Sequence, residues 1–346
     1  MMTDRTGCRA VLDVTVKFRF EMTARSLSLW APAKVNLYLE IVGDRPDGFH
    51  ELSTIFQSIG VMDRVTVSVK PGMGHIHVSC ANEAVPNDPR NLAHKAAALM
   101  VTAFPDAAAR LSNIDIVIEK NIPVAAGLAG GSADAAATLV GLDMLWDLGL
   151  TRIELQDLAA KFGSDISFCV GGGTALATGR GEVLDALPGV SNLWVVLGKY
   201  QDLSISTPWA YKRYRELFEA EYARDYDTQK SRHDQVRSGA IVRLLSHLAK
   251  GDRTDLADLK PLLRNDLERS VLPDHEKIQT LRACFSDHSD LGAMMSGSGP
   301  TVFAIAADEA EANRIRTAVR ADIPDKTLGL WTAPFSAQGI HLDTRA

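Results

Sequence analysis

The chain is short of cysteine: four in 346 residues, Cys8, Cys80, Cys169 and Cys284, none in C-x-x-C spacing. That distribution argues against a disulfide framework or a structural zinc module and fits a reducing, cytoplasmic setting. Positive charge is also outnumbered, with 37 Lys plus Arg against 43 Asp plus Glu and a net charge of −6. A broad basic face for nucleic acid or anionic lipid is therefore not expected, although a local basic pocket is compatible with the balance. No uncharged apolar run approaches the roughly 20 residues of a membrane helix. The opening residues, up to Arg25, carry five Lys or Arg, and Asp13 breaks the only apolar run, so they do not read as a signal peptide. Met22 precedes the first strongly patterned segment; a mispredicted start and a genuine, dispensable extension over 1–25 are equally open. The remaining balance, 46% apolar and 23% charged, is that of a globular protein with room for two domains.

Patterning then places the elements. Residues 28–43 (SLWAPAKVNLYLEIVG) alternate as a strand and close on the turn DRPDG. A second strand pair is expected at 65–69 and 76–80, around Pro71, Gly72 and Gly74. Asn91 can cap a helix that Pro105 stops; the strand IDIVIEK follows, then a glycine-rich stretch and an Ala-rich helix from Ser132 to about Leu148. Another helix is expected over 153–162, and ISFCVGGGTALATGRGE reads as strand, turn, strand. A second unit begins near Leu193 with the strand LWVVLG, helices over 210–222, 240–248 and 275–284, a strand–turn–strand region at 294–306, a helix over 309–319 and a last strand. The charge-dense stretch 219–237 reads as a solvated helix end and loop. Without a repeating strand–helix–strand unit, the class is α+β.

Four segments can carry chemistry. Pro123 to Ser132 (PVAAGLAGGS) lies between a strand and a helix, where glycines let backbone N–H groups approach an anion and a capping Ser132 can reach a phosphate. It is neither a Walker A loop, lacking Gly-Lys-Ser/Thr, nor G-x-G-x-x-G; a tight turn before a packed helix is the plain alternative. Lys34 in the apolar run PAKVNLYL would need a buried anion on a central strand, and taken alone the segment favours an edge strand with a solvated Lys34. Asp165 in GSDISF is a turn carboxylate or a catalytic base at a helix end entering a strand. MSGSGP at 295–300 suits a hairpin turn or close backbone approach to a substrate or to the first glycine loop.

The trio PAKVNLYL, PVAAGLAGGSADAA and MSGSGPTVFAI, in this order, resembles the three signature motifs of the GHMP small-molecule kinases, and the likeness spans nearly the whole chain beyond Met22. The continuous APAKVNLYLEIVGDRPDGFHEL, with GSDISF, ISTPWAY and RNDLE, is similar to the branch that acts in non-mevalonate isoprenoid synthesis. This resemblance implies a two-domain α+β fold: a mixed βαβ N-terminal domain (26–190), a ferredoxin-like α/β sandwich (191–346), and the active site in the cleft between them. It implies transfer of the ATP γ-phosphoryl group, with Mg²⁺, to the 2-hydroxyl of 4-diphosphocytidyl-2-C-methyl-D-erythritol. It implies no nucleic-acid or membrane partner; a monomer and a homodimer are both open.

Carried onto matching positions, the resemblance makes Lys34 and Asp165 the catalytic pair, with Lys34 holding Asp165 ionised. Pro123, Val124, Ala125, Ala126, Gly127, Leu128, Ala129, Gly130, Gly131, Ser132 and Ala133 become the ATP-phosphate loop. Asn36 falls near the substrate's diphosphate and erythritol end, and Phe49, His50 and Tyr211 form a cytosine pocket. The metal ligands are not assigned. Three departures stand out: Phe49 for a usual Tyr, Ser167 for a usual Pro, and Ala133-Asp134 where some members have Ser-Asn. The rivals are a dinucleotide dehydrogenase using Asp147, a non-catalytic ligand-binding member of the fold, and a mevalonate or homoserine type of kinase.

Overall fold

Residues 24–344 are described by the structure, a computed structural model. The choice of start among the first residues lies outside them. The expected first strand forms and is longer than its alternation suggested. β1 (Arg25–Asp44) and β2 (His50–Lys70) pair antiparallel over their length, joined by the DRPDG turn. Pro32 has no N–H for the ladder, and the register shifts between Pro32 and Ala33, then again at Asn36/Tyr38 and Ile41/Gly43. Just past the first shift, the Lys34 N–H bonds to the Leu128 carbonyl (3.1 Å), tying strand to glycine loop.

β3 (Ile76–Cys80) and β4 (Asn113–Glu119) follow, with β4 lying antiparallel to β2 and parallel to β3. The expected pair at 65–69 and 76–80 is therefore not a hairpin. The chain crosses at Gly72 and Gly74, where the Asn113 carboxamide accepts from the Gly74 and His75 N–H groups, and β4 slots between. Between β3 and β4 come α1 (Leu92–Ala103), capped by Asn91 as expected, and α2 (Pro105–Arg110). α3 (Gly130–Leu145) then runs beneath the sheet, followed by α4 (Arg152–Ala160), α5 (Ser164–Gly171), β5 (Thr174–Thr178) and β6 (Val183–Leu187).

The alanines of α3 let it lie close to the strands. Ala133, Ala135, Ala136 and Ala137 are fully buried, and a Cβ on Gly141 would meet Val67 Cγ2 at 3.0 Å. Truncating its buried Leu142 to Ala would cost about 2–5 kcal/mol in lost transfer and cavity terms.

The second half contributes β7 (Trp194–Tyr200), α6 (Thr207–Phe218), α7 (Tyr226–Arg237), α8 (Ala240–Ala249), α9 (Leu259–Leu262), β8 (Arg264–Asn265) and α10 (Glu268–Val271). It ends with α11 (Glu276–His288), β9 (Ala293–Met295), β10 (Val302–Ala306), α12 (Glu309–Asp322), β11 (Leu328–Ser336) and β12 (His341–Leu342). Its strands join the first half through β11, which pairs with both β2 and β7, giving the order β12-β1-β2-β11-β7-β10-β9. The two halves thus share a continuous sheet path with the cleft beside it.

Four local expectations fail. The apolar run after Asp165 is helix α5, because paired hydrogen bonds (Ser167 Oγ to the Gln156 carbonyl, Gln156 Nε2 to the Ser167 carbonyl) hold it to α4 and glycines bound it. The Ala-rich helix starts at Gly130 and ends at Leu145, where Asp147 turns to φ 53°. The charged stretch is a 3₁₀ turn (Glu219–Glu221) and then α7, whose cap Asp225 accepts from the Thr228 N–H. The helix expected at 210–222 likewise begins at Thr207, capped by Ser206, and its α-helical part stops at Phe218.

Candidate active site

A cavity of about 870 Å³ lies between the halves and gathers nearly every residue singled out by the sequence. Lys34 is buried (3% exposed) on a strand flanked by β2, β8 and β12, so the edge-strand expectation for it is overturned. Its Nζ donates to Asn36 Oδ1 at 2.8 Å and lies 3.4 Å from Asp165 Oδ2. Asn36 in turn donates to Thr54 Oγ1 (2.8 Å), which fixes the amide so that its oxygen faces the lysine. Asp165 sits in the first turn of α5, where the helix N-terminus favours its charge, and its side chain is 37% exposed toward the cavity. The pair therefore combines a dry ammonium with a carboxylate open to a ligand. That arrangement can take a proton from an alcohol and offset charge developing on an acceptor.

The glycine loop forms the next wall. Ala129 adopts a left-handed conformation (φ 58°) and caps α3 without a side-chain hydrogen bond. Ser132 is therefore not the cap; it is the third residue of the helix, half-buried and lining the cavity. The first intrahelical bond runs from Ala133 N–H to the Ala129 carbonyl, so the amides of Gly130, Gly131 and Ser132 have no helical partner. Such a cluster of N–H groups with a helix dipole behind it suits an anion. MSGSGP braces this loop. Ser296 Oγ donates to the Gly127 carbonyl (3.0 Å), and a Cβ on Gly127 (φ 74°) would meet the Ser296 carbonyl oxygen at 2.4 Å. RNDLE braces it in turn, since Asn265 Nδ2 donates to the Met295 and Gly297 carbonyls and Glu268 accepts from the Met295 N–H.

Behind the loop is a cluster the sequence reading missed. Lys120 Nζ lies 2.6 Å from both Asp63 Oδ2 and Asp134 Oδ2, with all three side chains at most 4% exposed. Burial works against the Lys120 charge, but the two carboxylates outweigh it and raise its pKa. Burial likewise raises the Asp134 carboxyl, and Asp63 adds to it against the opposing Lys120. Lys120 and Asp134 both line the cavity. Lys120 ends a strand, where a lysine reads as solvated, and Asp134 registered only as a departure from Asn.

The far end of the cavity holds Phe49, His50 and Tyr211. The His50 and Tyr211 ring centroids are 5.1 Å apart, and Tyr222 meets His50 edge-on at 5.9 Å. Phe49 is 54% exposed, with the Arg180 guanidinium 5.0 Å over its ring. His50 Nε2 is buried, 3.6 Å from Asp44, without a hydrogen-bond partner among the described residues. Burial first, and then Arg215, push the imidazole pKa down to about 4 against the opposing Asp44, so the ring is neutral near pH 7. A neutral imidazole with an unpaired nitrogen can read the edge of a flat ring beside it. Arg180, Lys212 and Arg215 also line this end, the local basic pocket that the overall charge left room for.

Comparison with known proteins adds to this geometry. A family model described as the GHMP kinases N terminal domain matches residues 91–173, and one described as GHMP kinases C terminal matches 244–325. The chain is 48% identical over 319 residues to the 4-diphosphocytidyl-2-C-methyl-D-erythritol kinase of Trichodesmium erythraeum, covering 92% of this chain and 99% of that one. It is 50% identical over 319 residues to the enzyme of the same name from Nostoc punctiforme, covering 92% and 98%. Among solved structures it resembles a 4-(cytidine 5'-diphospho)-2C-methyl-D-erythritol kinase at TM-score 0.66 and 29% identity, covering 91% of this chain and 99% of that one. L. major mevalonate kinase shares the fold at TM-score 0.65 and 18% identity, covering 90% of this chain and 96% of that one.

Proposed function

Because this chain belongs to the 4-diphosphocytidyl-2-C-methyl-D-erythritol kinases of the GHMP superfamily, we propose that its cleft transfers the γ-phosphoryl group of ATP to the 2-hydroxyl of that cytidyl substrate, a step of non-mevalonate isoprenoid synthesis. The observation that carries the chemistry is the Lys34–Asp165 pair, facing the same cavity as the glycine loop. ATP, entering as its magnesium complex, lays its β- and γ-phosphates against the free amides of Gly130, Gly131 and Ser132. Phe49 and Tyr211 flank the cytosine, His50 reads its edge, and Asn36 lies near the diphosphate and erythritol end.

The acceptor hydroxyl then points between Asp165 and the γ-phosphorus. Phosphoryl transfer passes through a loose transition state, so most of the catalysis is alignment and charge stabilisation. Asp165 takes the hydroxyl proton as the new bond forms. Lys34, kept in place by Asn36, offsets charge on the transferring oxygens. The first unit (26–190) carries both ligands' reacting ends, and the second (191–346) supplies Tyr211 and the MSGSGP brace. No helix among the described residues is long and apolar enough to cross a membrane; we place the reaction in the cytoplasm, with the protein a monomer or homodimer.

A coupled assay of ADP release with the cytidyl substrate, mevalonate and homoserine tests this reading. Turnover is expected with the first alone; comparable turnover on mevalonate or homoserine would overturn the assignment.

A further inference from the structure

We infer that Asp63, Lys120 and Asp134 form a buried ionic clasp that holds the two ends of the glycine loop in register and thereby sets the affinity for ATP. This rests on the reading of that loop as the phosphate site. The loop leaves β4 at Lys120 and re-enters regular structure at Gly130. Its entrance is held by Asp63, whose Oδ1 accepts from the Asn121 and Ile122 N–H groups at 2.6 and 2.8 Å. Its exit is held by Asp134 in the second turn of α3, and Lys120 joins the two carboxylates with one ammonium.

A neutral pair would serve if only stability were needed. Here two carboxylates share one lysine in a nearly dry site, and Asp134 Oδ1 has no hydrogen-bond partner among the described residues. Arrangements of this kind add little stability over apolar packing, so the clasp calls for another purpose. Its position supplies one. A Cβ on Gly130 would lie 3.0 Å from both Lys120 Nζ and Ile122 Cγ2, so the backbone that presents the free amides rests directly on the clasp. Amides that bind phosphate must be placed to within a fraction of an ångström, and releasing either end of the loop would loosen them. Lys120, Asp63 and Asp134 are in this account positioning residues.

The test uses Asp134→Ala, which frees the helix end, and Asp134→Asn, whose amide oxygen still accepts from Lys120. KM for ATP, KM for the cytidyl substrate, kcat and Tm are measured for both. Asp134→Ala is expected to raise KM for ATP about 10-fold, the loss of one charged hydrogen bond, and to leave kcat and the acceptor KM within about 3-fold. Asp134→Asn should restore the ATP KM to within about 3-fold of wild type. A lowered Tm with unchanged ATP KM in Asp134→Ala, or an equal rise in both KM values, would overturn the inference. Should Asp134→Ala fail to fold, the double variant Lys120→Met/Asp134→Asn removes opposite charges together and decides the question: a raised ATP KM supports the clasp and an unchanged one refutes it. Gly131→Val separates the underlying reading, because its Cβ would meet only Leu92, at an ordinary 3.5 Å. If Gly131→Val leaves ATP binding intact, the phosphate-loop reading fails; if it abolishes binding while Asp134→Ala does not weaken it, only the clasp fails.

Discussion

Lys34 and Lys120 line the same cavity and their side chains are equally buried, each 4% exposed, yet their surroundings differ in kind. Lys120 is closed between two buried carboxylates at 2.6 Å. Lys34 has one amide oxygen at 2.8 Å and one carboxylate, Asp165, at a looser 3.4 Å and open to the cavity. Each ammonium has three donors and two partners, so the difference lies in the partners: the carboxylate beside Lys34 opens to the cavity, whereas both carboxylates beside Lys120 are buried and hold the loop. Burial alone therefore does not mark a reactive lysine; the openness of its partner does.

The sharpest way to break this comparison is to remove each lysine in turn. Lys34→Ala should lower kcat at least about 10²-fold with little change in KM for ATP, the signature of a group that acts in the transition state. Lys120→Met should show the opposite split, a raised ATP KM with kcat nearly retained; parallel kcat losses in steady-state assays would erase the distinction. Gly131→Val probes the loop between them and should raise the ATP KM at least about 30-fold, the scale of losing charged hydrogen bonds to phosphate, with a smaller change for the cytidyl substrate. Gly130→Val is the poorer probe, since its Cβ would also press on Lys120 and Ile122.

At the aromatic end of the cavity, which we propose takes the cytosine, Tyr211→Ala should weaken CMP binding by about 10- to 100-fold by calorimetry, the scale of a lost stacked base. Unchanged affinity with a lowered Tm would place that ring in the core. The smallest effect concerns pH. His50 has a folded-state pKa of about 4 against 6.5 for the free ring, so the unfolded chain takes up its proton first as pH falls. Its contribution to stability is full above pH 6.5 and is lost between there and about 4, and His50→Gln should flatten that part of the Tm–pH profile. A variant profile parallel to wild type would mean that His50 does not titrate as its burial implies.

Local patterns carried much of this site. An alternating strand holds Lys34 and Asn36, and a strand–glycine–helix junction holds the glycine loop; both are short-range signals of a few residues. The clasp was illegible because it joins Asp63 to Lys120 across 57 positions and Lys120 to Asp134 across 14, with no motif linking them. The sequence of α5 reads as a strand because a short apolar run has no period of its own, and only its bonding to α4 decides it. The neighbour of β3 is not legible locally, because the turn residues after β2 look the same for a hairpin and for a crossover past β4. Charge density hid α7, although Asp225 three residues before Thr228 is a capping signal within that stretch.

The central claim is that the open Lys34–Asp165 pair, and not the closed clasp, performs the transfer. Single-turnover rates of Asp165→Asn and Asp134→Asn, with ATP and the cytidyl substrate saturating and circular dichroism confirming the fold, test it most directly. The account predicts a loss of at least about 10²-fold for Asp165→Asn and a near-wild-type rate for Asp134→Asn. A near-wild-type rate for Asp165→Asn would contradict it.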